Sequence, residues 1–271
     1  MLVALFVSLA AGQTGWQVVW SDEFNGAAGA KPDSTKWNFD LGGGGWGNGE
    51  LQVYTDSVQN AFLDGDGDLV IRVLRDEGGK YTSARLQTGA PGAGADTADG
   101  KWQYGRIEVR AKLPSTKGVW PAFWMLGESF RSAGWPACGE IDIMENFGSY
   151  RGNAVLNNGS AHGPGYSGGK SITATGRLKG EGKVSDGFHI YGVEWKEDSI
   201  AWYMDGETYF TVTPESLPAG SKWVFNAPFF LLLNVAVGGP RTFLGTPDES
   251  VTFPQEMMVD WVRIYRRVEG R

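Results

Sequence analysis

Hydrophobic and polar residues alternate with a period of two through most of this chain, the side-chain period of a β-strand. The pattern predicts a strand entering a turn over 17–24, and strands over 51–54, 69–74, 102–113, 120–126, 188–195 and 258–265. Asp205-Gly206, between the patterned runs 195–203 and 207–212, marks a hairpin turn. The run 229–237 is apolar except for Asn234, a buried amide that needs partners. Residues 153–156 follow the acidic stretch, with a loop containing His162 after them. No heptads, repeats or shifts of composition mark a second domain. The chain reads as one all-β domain over 16–268, and 271 residues suffice for a sizeable core.

The first residues differ. An apolar run over 2–11 is too short to span a bilayer. With small residues at 10–12 it reads as the apolar core of a signal peptide, residues 1–12, although no Lys or Arg precedes it. A buried N-terminal strand is the alternative. A secreted or extracytoplasmic location is expected from the signal peptide.

One strand carries the chemistry. In Gly139-Glu140-Ile141-Asp142-Ile143-Met144-Glu145-Asn146, three carboxylates fall within six residues. A helix would put Glu140 and Glu145 roughly 140° apart around its axis. A strand puts Glu140 and Asp142 on one face and Ile141 and Ile143 on the other. Strict alternation would then bury Glu145, and a one-residue bulge near Met144 returns it to the face of the other two. The two glutamates are then roughly 13 Å apart along the backbone, a gap that side chains leaning together can close. Such a pair suits a retaining glycosidase, whose carboxyl groups lie about 5–5.5 Å apart. Glu140 would be the nucleophile and Glu145 the acid/base, with Asp142 between them raising the pKa of Glu145. An exposed acidic strand face or a cation site is the plainer reading. A solvated face would normally mix signs, and Trp120, Trp124 and Trp135 lie close by in sequence.

Composition supports the carbohydrate reading. The 12 tryptophans suggest stacking platforms for sugars, and 41 glycines suit tight turns. A net charge of -7 argues against a nucleic-acid partner and fits a neutral polysaccharide. Cys138 is the single cysteine, which excludes an intrachain disulfide; it reads as a small buried apolar residue rather than a nucleophile. With only His162 and His189, a histidine-based metal site is not expected, and His189 lies in an alternating strand as a structural residue. The glycine-rich stretch 42–50 is a loop, with Asn48 placed to hydrogen-bond a sugar hydroxyl and Trp46 to stack. Arg85 offers a fork of donors to sugar oxygens or to Asp142, or is a surface arginine. The 64–68 Asp/Gly repeat lacks the glutamate of a calcium-binding helix–loop–helix at position 75, which is Arg75, so it reads as a turn. Residues 90–100 read as a flexible insertion.

The order Glu-Ile-Asp-Ile-Met-Glu resembles the active-site signature of glycoside hydrolase family 16 in its bulge-containing form. Trp120-Pro-Ala-Phe-Trp124-Met-Leu-Gly, Gly134-Trp135-Pro-Ala-Cys138-Gly-Glu140, His162-Gly-Pro-Gly-Tyr-Ser-Gly-Gly169 and Asn234-Val-Ala-Val-Gly-Gly239 resemble blocks of its laminarinases. The resemblance runs from about Trp20 to Tyr265. It implies a β-sandwich of jelly-roll type with a concave cleft, and a monomer that cuts internal bonds of β-1,3-glucan or mixed β-1,3/1,4-glucan with retention. It implies Glu140, Asp142 and Glu145 as catalytic, and Asn48, Arg85, Trp120, Trp124, Trp135 and His162 as substrate-binding. No catalytic cofactor is implied, but a structural calcium ion at Glu23, Gly67 and Asp260 is. After Gly239 the chain departs from the pattern: Pro240-Arg241-Thr242-Phe243 stands where many laminarinases carry Trp-Pro. A glucan transglycosylase and a non-catalytic glucan-binding lectin on the same fold are the competing readings; the lectin is weakened because both glutamates are kept.

Overall fold

The computed structural model describes residues 15–89, 100–148 and 150–268. The expected leader at 1–12 and most of the 90–100 insertion lie outside these residues. Alternating strands bury one face each, so they must stack as layers. Here they form two sheets. The front sheet runs β13 (Ile172–Arg177), β12 (Leu156–His162), β11 (Glu140–Glu145), β10 (Val119–Gly127), β17 (Phe229–Val237), β7 (Arg85–Gln87), β2 (Asn38–Asp40), with β8 (Lys101–Trp102) also on β17. The back sheet runs β16 (Glu207–Val212), β15 (Ser199–Met204), β14 (His189–Lys196), β9 (Gly105–Lys112), β18 (Gln255–Val268), β5 (Leu69–Arg75), β6 (Tyr81–Ser83), β3 (Gln52–Tyr54). On it β1 (Gly15–Asp22) joins β18 and β4 (Ala61–Leu63) joins β5. Pairing is antiparallel except between β3 and β6. Neighbours such as β10 and β17, or β9 and β18, are far apart in sequence, as in a jelly-roll sandwich. The described residues include one α-helix, Phe130–Ala133.

The core lies between the sheets. Phe123, Met125, Ile141, Ile143, Met144, Leu231, Leu233 and Val235 enter it from the front, and Ile71, Val109, Tyr191, Val193, Trp202 and Val262 from the back. Every residue of β17 is buried because it is central and its outer face is also covered. There Trp124 packs on Leu126, Cys138, Phe230 and Leu232. Burial pushes the Cys138 thiol up to about 11, so it is a packing residue, as its sequence surroundings suggest.

The expected 205–206 turn is present, with both residues at positive φ, as a two-residue hairpin requires. Two expectations need correction. Residues 102–113 do not form one strand: Tyr104, at φ 64, breaks the run between β8 and β9. Beyond a 3-10 turn at Tyr150–Val155, Leu156–His162 is a strand where a loop is expected. His162 is therefore a strand residue, paired directly with Glu140, and not a loop residue. The misreading has a physical cause. Asn157, Asn158, Gly159 and Ser160 have the composition of a loop, but on β12 they are buried.

Candidate active site

The bulge expected near Met144 is present. Against β10 the register of β11 shifts between Asp142 and Met144; against β12 it shifts between Asp142 and Glu145. Ile143 and Met144 both enter the core, and Glu145 returns to the outer face. Glu140 and Glu145 are each half-buried on that face and Asp142 lies deeper.

Register builds the surroundings in rows. One row crosses the sheet through Asp40, Arg85, Asn234, Ala122, Glu145 and Asn158. The next passes through Gln87, Leu232, Trp124, Asp142 and Ser160, and a third sets Leu126, Glu140 and His162 side by side. The small Ala122 leaves room between Asn234 and Glu145.

Each carboxylate has its own donor. The Trp135 indole N–H donates to Glu140 at 3.1 Å, and that of Trp120 donates to Glu145 at 2.9 Å. His162 Nε2 lies 2.9 Å from Asp142 and 3.5 Å from Glu140. The Gly168 N–H donates to His162 Nδ1 at 3.1 Å, so that nitrogen is the acceptor and the ring proton sits on Nε2. His162, Asp142 and Glu140 lie close enough together to suggest a metal site, but that tautomer turns an N–H, not a lone pair, toward the carboxylates.

Burial raises all three acids. Glu140 is pushed up to about 8 by burial and then by Asp142, against the pull of His162, Trp135 and Arg85. Burial raises Asp142 as well. Glu145 is raised well above the usual carboxylate range by burial first, then Asp142 and Glu140, with His162 and the Trp120 N–H opposing. Charge on Asp142 opposes ionisation of both glutamates, so the acids do not titrate independently.

Both Trp120 and Trp124 face the cleft, Trp124 donating to Asn234 at 2.7 Å. Asn234 donates in turn to the Tyr54 hydroxyl at 3.1 Å, which answers the question of its partners. Arg85 does not reach Asp142. Its guanidinium is sandwiched between the rings of Trp46 and Trp124, at 4.8 and 4.7 Å, and forms an ion pair with Asp40 at 2.9 Å, off the hydrogen-bond line. Asn48 donates to Glu50 at 2.9 Å, as Gln52 does at 2.6 Å. Sequence reasoning passed over Glu50, Asp40 and Tyr54; only the pairing of β2, β3 and β7 with distant strands brings them to this cleft. The departure after Gly239 places Phe243 against Trp120 and Phe147, at 5.4 and 4.8 Å, and half exposed.

The residues of the expected calcium site lie on the other sheet. Glu23 spends its carboxylate on Arg263, at 2.7 and 3.0 Å, and Asp260 is paired with Arg110. Asp68 is raised to about 6 by burial, then by Asp64 and Asp260. These are all oxygen donors gathering excess negative charge, which fits a hard cation. With the Glu23 side chain committed to Arg263 and that of Asp260 to Arg110, the fit runs through main-chain oxygens there and the 64–68 turn.

A β-sandwich that holds two glutamates on one face of one strand, with a third carboxylate between them and indoles on either side, is the site of a glycoside-cleaving enzyme. The chain belongs to the glycosyl hydrolases family 16, whose model matches residues 59–263. The beta-glucanase of Rhodothermus marinus is 40% identical over 94% of this chain and 86% of its own length. Glucan endo-1,3-beta-glucosidase A1 of Niallia circulans is 36% identical over 93% of this chain, which spans 38% of that longer protein. Among solved structures, the laminarinase catalytic domain of Thermotoga maritima superposes with a TM-score of 0.82 at 46% identity, covering 94% of this chain and 99% of that one.

The raised acids carry a stability cost of definite sign. A carboxyl whose folded pKa lies above its unfolded value binds more protons folded than unfolded, so stability falls as pH rises from the unfolded to the folded pKa. For Glu140 that window runs from its ordinary 4.5 to about 8. Glu140→Gln removes the charge. Its melting temperature should match wild type near about pH 4 and exceed it by several degrees near about pH 8. Equal melting curves at both values would show that burial of this acid carries no penalty.

Proposed function

We propose that this chain hydrolyses internal β-1,3 bonds of laminarin-type glucan, with mixed β-1,3/1,4-glucan as a second substrate, by a retaining double displacement. The observation that carries the reading is the bulge that sets Glu140 and Glu145 on one face, each held by its own indole. The relatives named for β-glucan cleavage support the substrate class.

Glu140 is the nucleophile. An indole, an imidazole and a guanidinium favour its anion, so it ionises before Glu145. Its carboxylate forms a bond to the anomeric carbon as the glycosidic C–O bond breaks. Glu145, still protonated, gives its proton to the departing oxygen. Once Glu140 is an ester its charge is gone, and the pKa of Glu145 drops. Glu145 then takes a proton from water, water attacks the anomeric carbon, and the carboxylate of Glu140 is released. Asp142 holds both glutamates up in pKa and is itself oriented by the Nε2–H of His162. Trp120, Trp124 and Trp135 line the cleft for sugar rings. In this reading His162 positions Asp142 as well as bordering a subsite, Arg85 presents a guanidinium already fixed by two rings, and Asn48 shapes the rim through Glu50. The protein acts outside the cytoplasm as a monomer. A calcium ion held by the Gly67 carbonyl and the main chain at Glu23 and Asp260 stabilises the back sheet away from the chemistry.

Three measurements test this. A reducing-end assay across laminarin, lichenan, xyloglucan, agarose and carrageenan should show turnover of the first two. Glu140→Ala should abolish it, and Glu145→Ala should cripple it while sparing aryl glycosides whose leaving group needs no proton; equal loss on both substrates would remove Glu145 from the acid role. Asp142→Asn deletes a negative neighbour of both glutamates. Both limbs of the pH–rate profile should therefore move to lower pH, and an unmoved profile would refute the coupling. Chelation of calcium should lower the melting temperature and leave kcat/KM unchanged well below it; an unchanged melting temperature excludes the ion.

A further inference from the structure

A bulge removes carbonyls from the strand ladder, and buried carbonyls must find other donors. At this bulge they find side chains. The indole N–H of Trp202, on β15 of the back sheet, donates to the Asp142 carbonyl at 2.7 Å. The Asn157 amide donates to the Ile143 carbonyl at 3.1 Å, and the Asn158 amide to that of Glu145 at 3.0 Å. The Asn157 amide also donates to the hydroxyl of Tyr209, on β16, at 2.9 Å.

Two further observations show that these contacts are built in at some expense. A Cβ at Gly159 would lie 2.5 Å from the Trp202 ring and 2.7 Å from the Tyr209 hydroxyl, and one at Gly176 would lie 2.6 Å from the Tyr209 ring. Glycine sits mid-strand in β12 and β13, where it weakens a strand, because the two aromatic side chains pass there. The Oδ1 of Asn157 is buried with no hydrogen-bond partner among the described residues.

We propose that Trp202, and Asn157 with Tyr209, are positioning residues for catalysis: from beneath the front sheet they pin the bulge at Ile143–Met144 and so hold Glu145 on the cleft face. Loss of the bulge, or its migration past Glu145, would exchange the faces of Met144 and Glu145. The ladder alone does not forbid this; a fixed set of donors for three particular carbonyls does. The inference rests on the role proposed for Glu145. It goes beyond that role by assigning function to residues that touch neither sugar nor carboxyl group.

The test is Trp202→Phe, which keeps a ring against Phe210 and deletes the N–H. The control is Trp195→Phe, which deletes a comparable buried indole–carbonyl bond, to Phe225, away from the bulge. Wild-type cleavage of laminarin is established first; its absence would overturn the proposed function. Per folded molecule, Trp202→Phe should lower kcat roughly ten- to a hundredfold with KM within about twofold. The basic limb of the pH–rate profile should move to lower pH, because a Glu145 freed from its buried setting beside Asp142, Glu140, His162 and Tyr209 is a stronger acid. Tyr209→Phe, which removes a single hydroxyl, should shift the same limb with a smaller loss of rate, and it decides the matter if Trp202→Phe does not fold. Trp195→Phe should lower the melting temperature and leave the limb in place. The proposal is overturned if Trp202→Phe or Tyr209→Phe keeps both rate and basic limb, or if the control moves the limb as far.

Discussion

A strand has a side-chain period of two, and Glu145 is an odd number of residues from both Glu140 and Asp142. Everything at this site depends on how that parity is broken. One extra residue in β11 does it, sending Ile143 and Met144 consecutively into the core and turning Glu145 outward. The same insertion leaves backbone carbonyls outside the ladder. Donors from Trp202, Asn157 and Asn158 satisfy them. Packing beneath the strand and chemistry above it are thus two consequences of one backbone irregularity.

The electrostatics follow from that placement. Three acids on one face of a buried strand repel, and their desolvation opposes charge on each of them. The surrounding donors are distributed unequally. Glu140 has Trp135, His162 and the field of Arg85 against Asp142, whereas Glu145 has His162 and the Trp120 N–H against both Asp142 and Glu140. Unequal environments around chemically identical groups are what separate an acid from a nucleophile at one pH. The separation costs stability, as the raised acids of active sites commonly do.

The cleft floor is rigid for reasons remote from the acids. β17 is buried along its whole length, and its single amide, Asn234, joins Trp124 to Tyr54. Arg85 is fixed between two indole faces and beside Asp40, so its charge is presented without being free to wander. At one end Phe243 closes an aromatic group with Trp120 and Phe147, and Trp120 in turn holds Glu145. The departure from the laminarinase pattern after Gly239 therefore bears on the acid through one intervening side chain.

Period-two patterning, the Asp-Gly hairpin and the odd spacing of the acids were all legible in the sequence, because each is a local property of the backbone. The all-β fold, the identity of the acidic strand and the need for a bulge followed from them. The position of His162 was not legible: a run of Asn, Gly and Ser reads as loop until a neighbouring strand buries it. Nor was the partner of Arg85, since Asp40 lies 45 residues away and meets it only through the β2–β7 pairing. The donors at the bulge come from β12 and β15, with the Tyr209 hydroxyl of β16 accepting from one of them, and they carry no local mark at all. Local chain geometry chose which residues face the cleft; long-range strand pairing and the packing of one sheet on the other chose what each of them touches, and with it their charge.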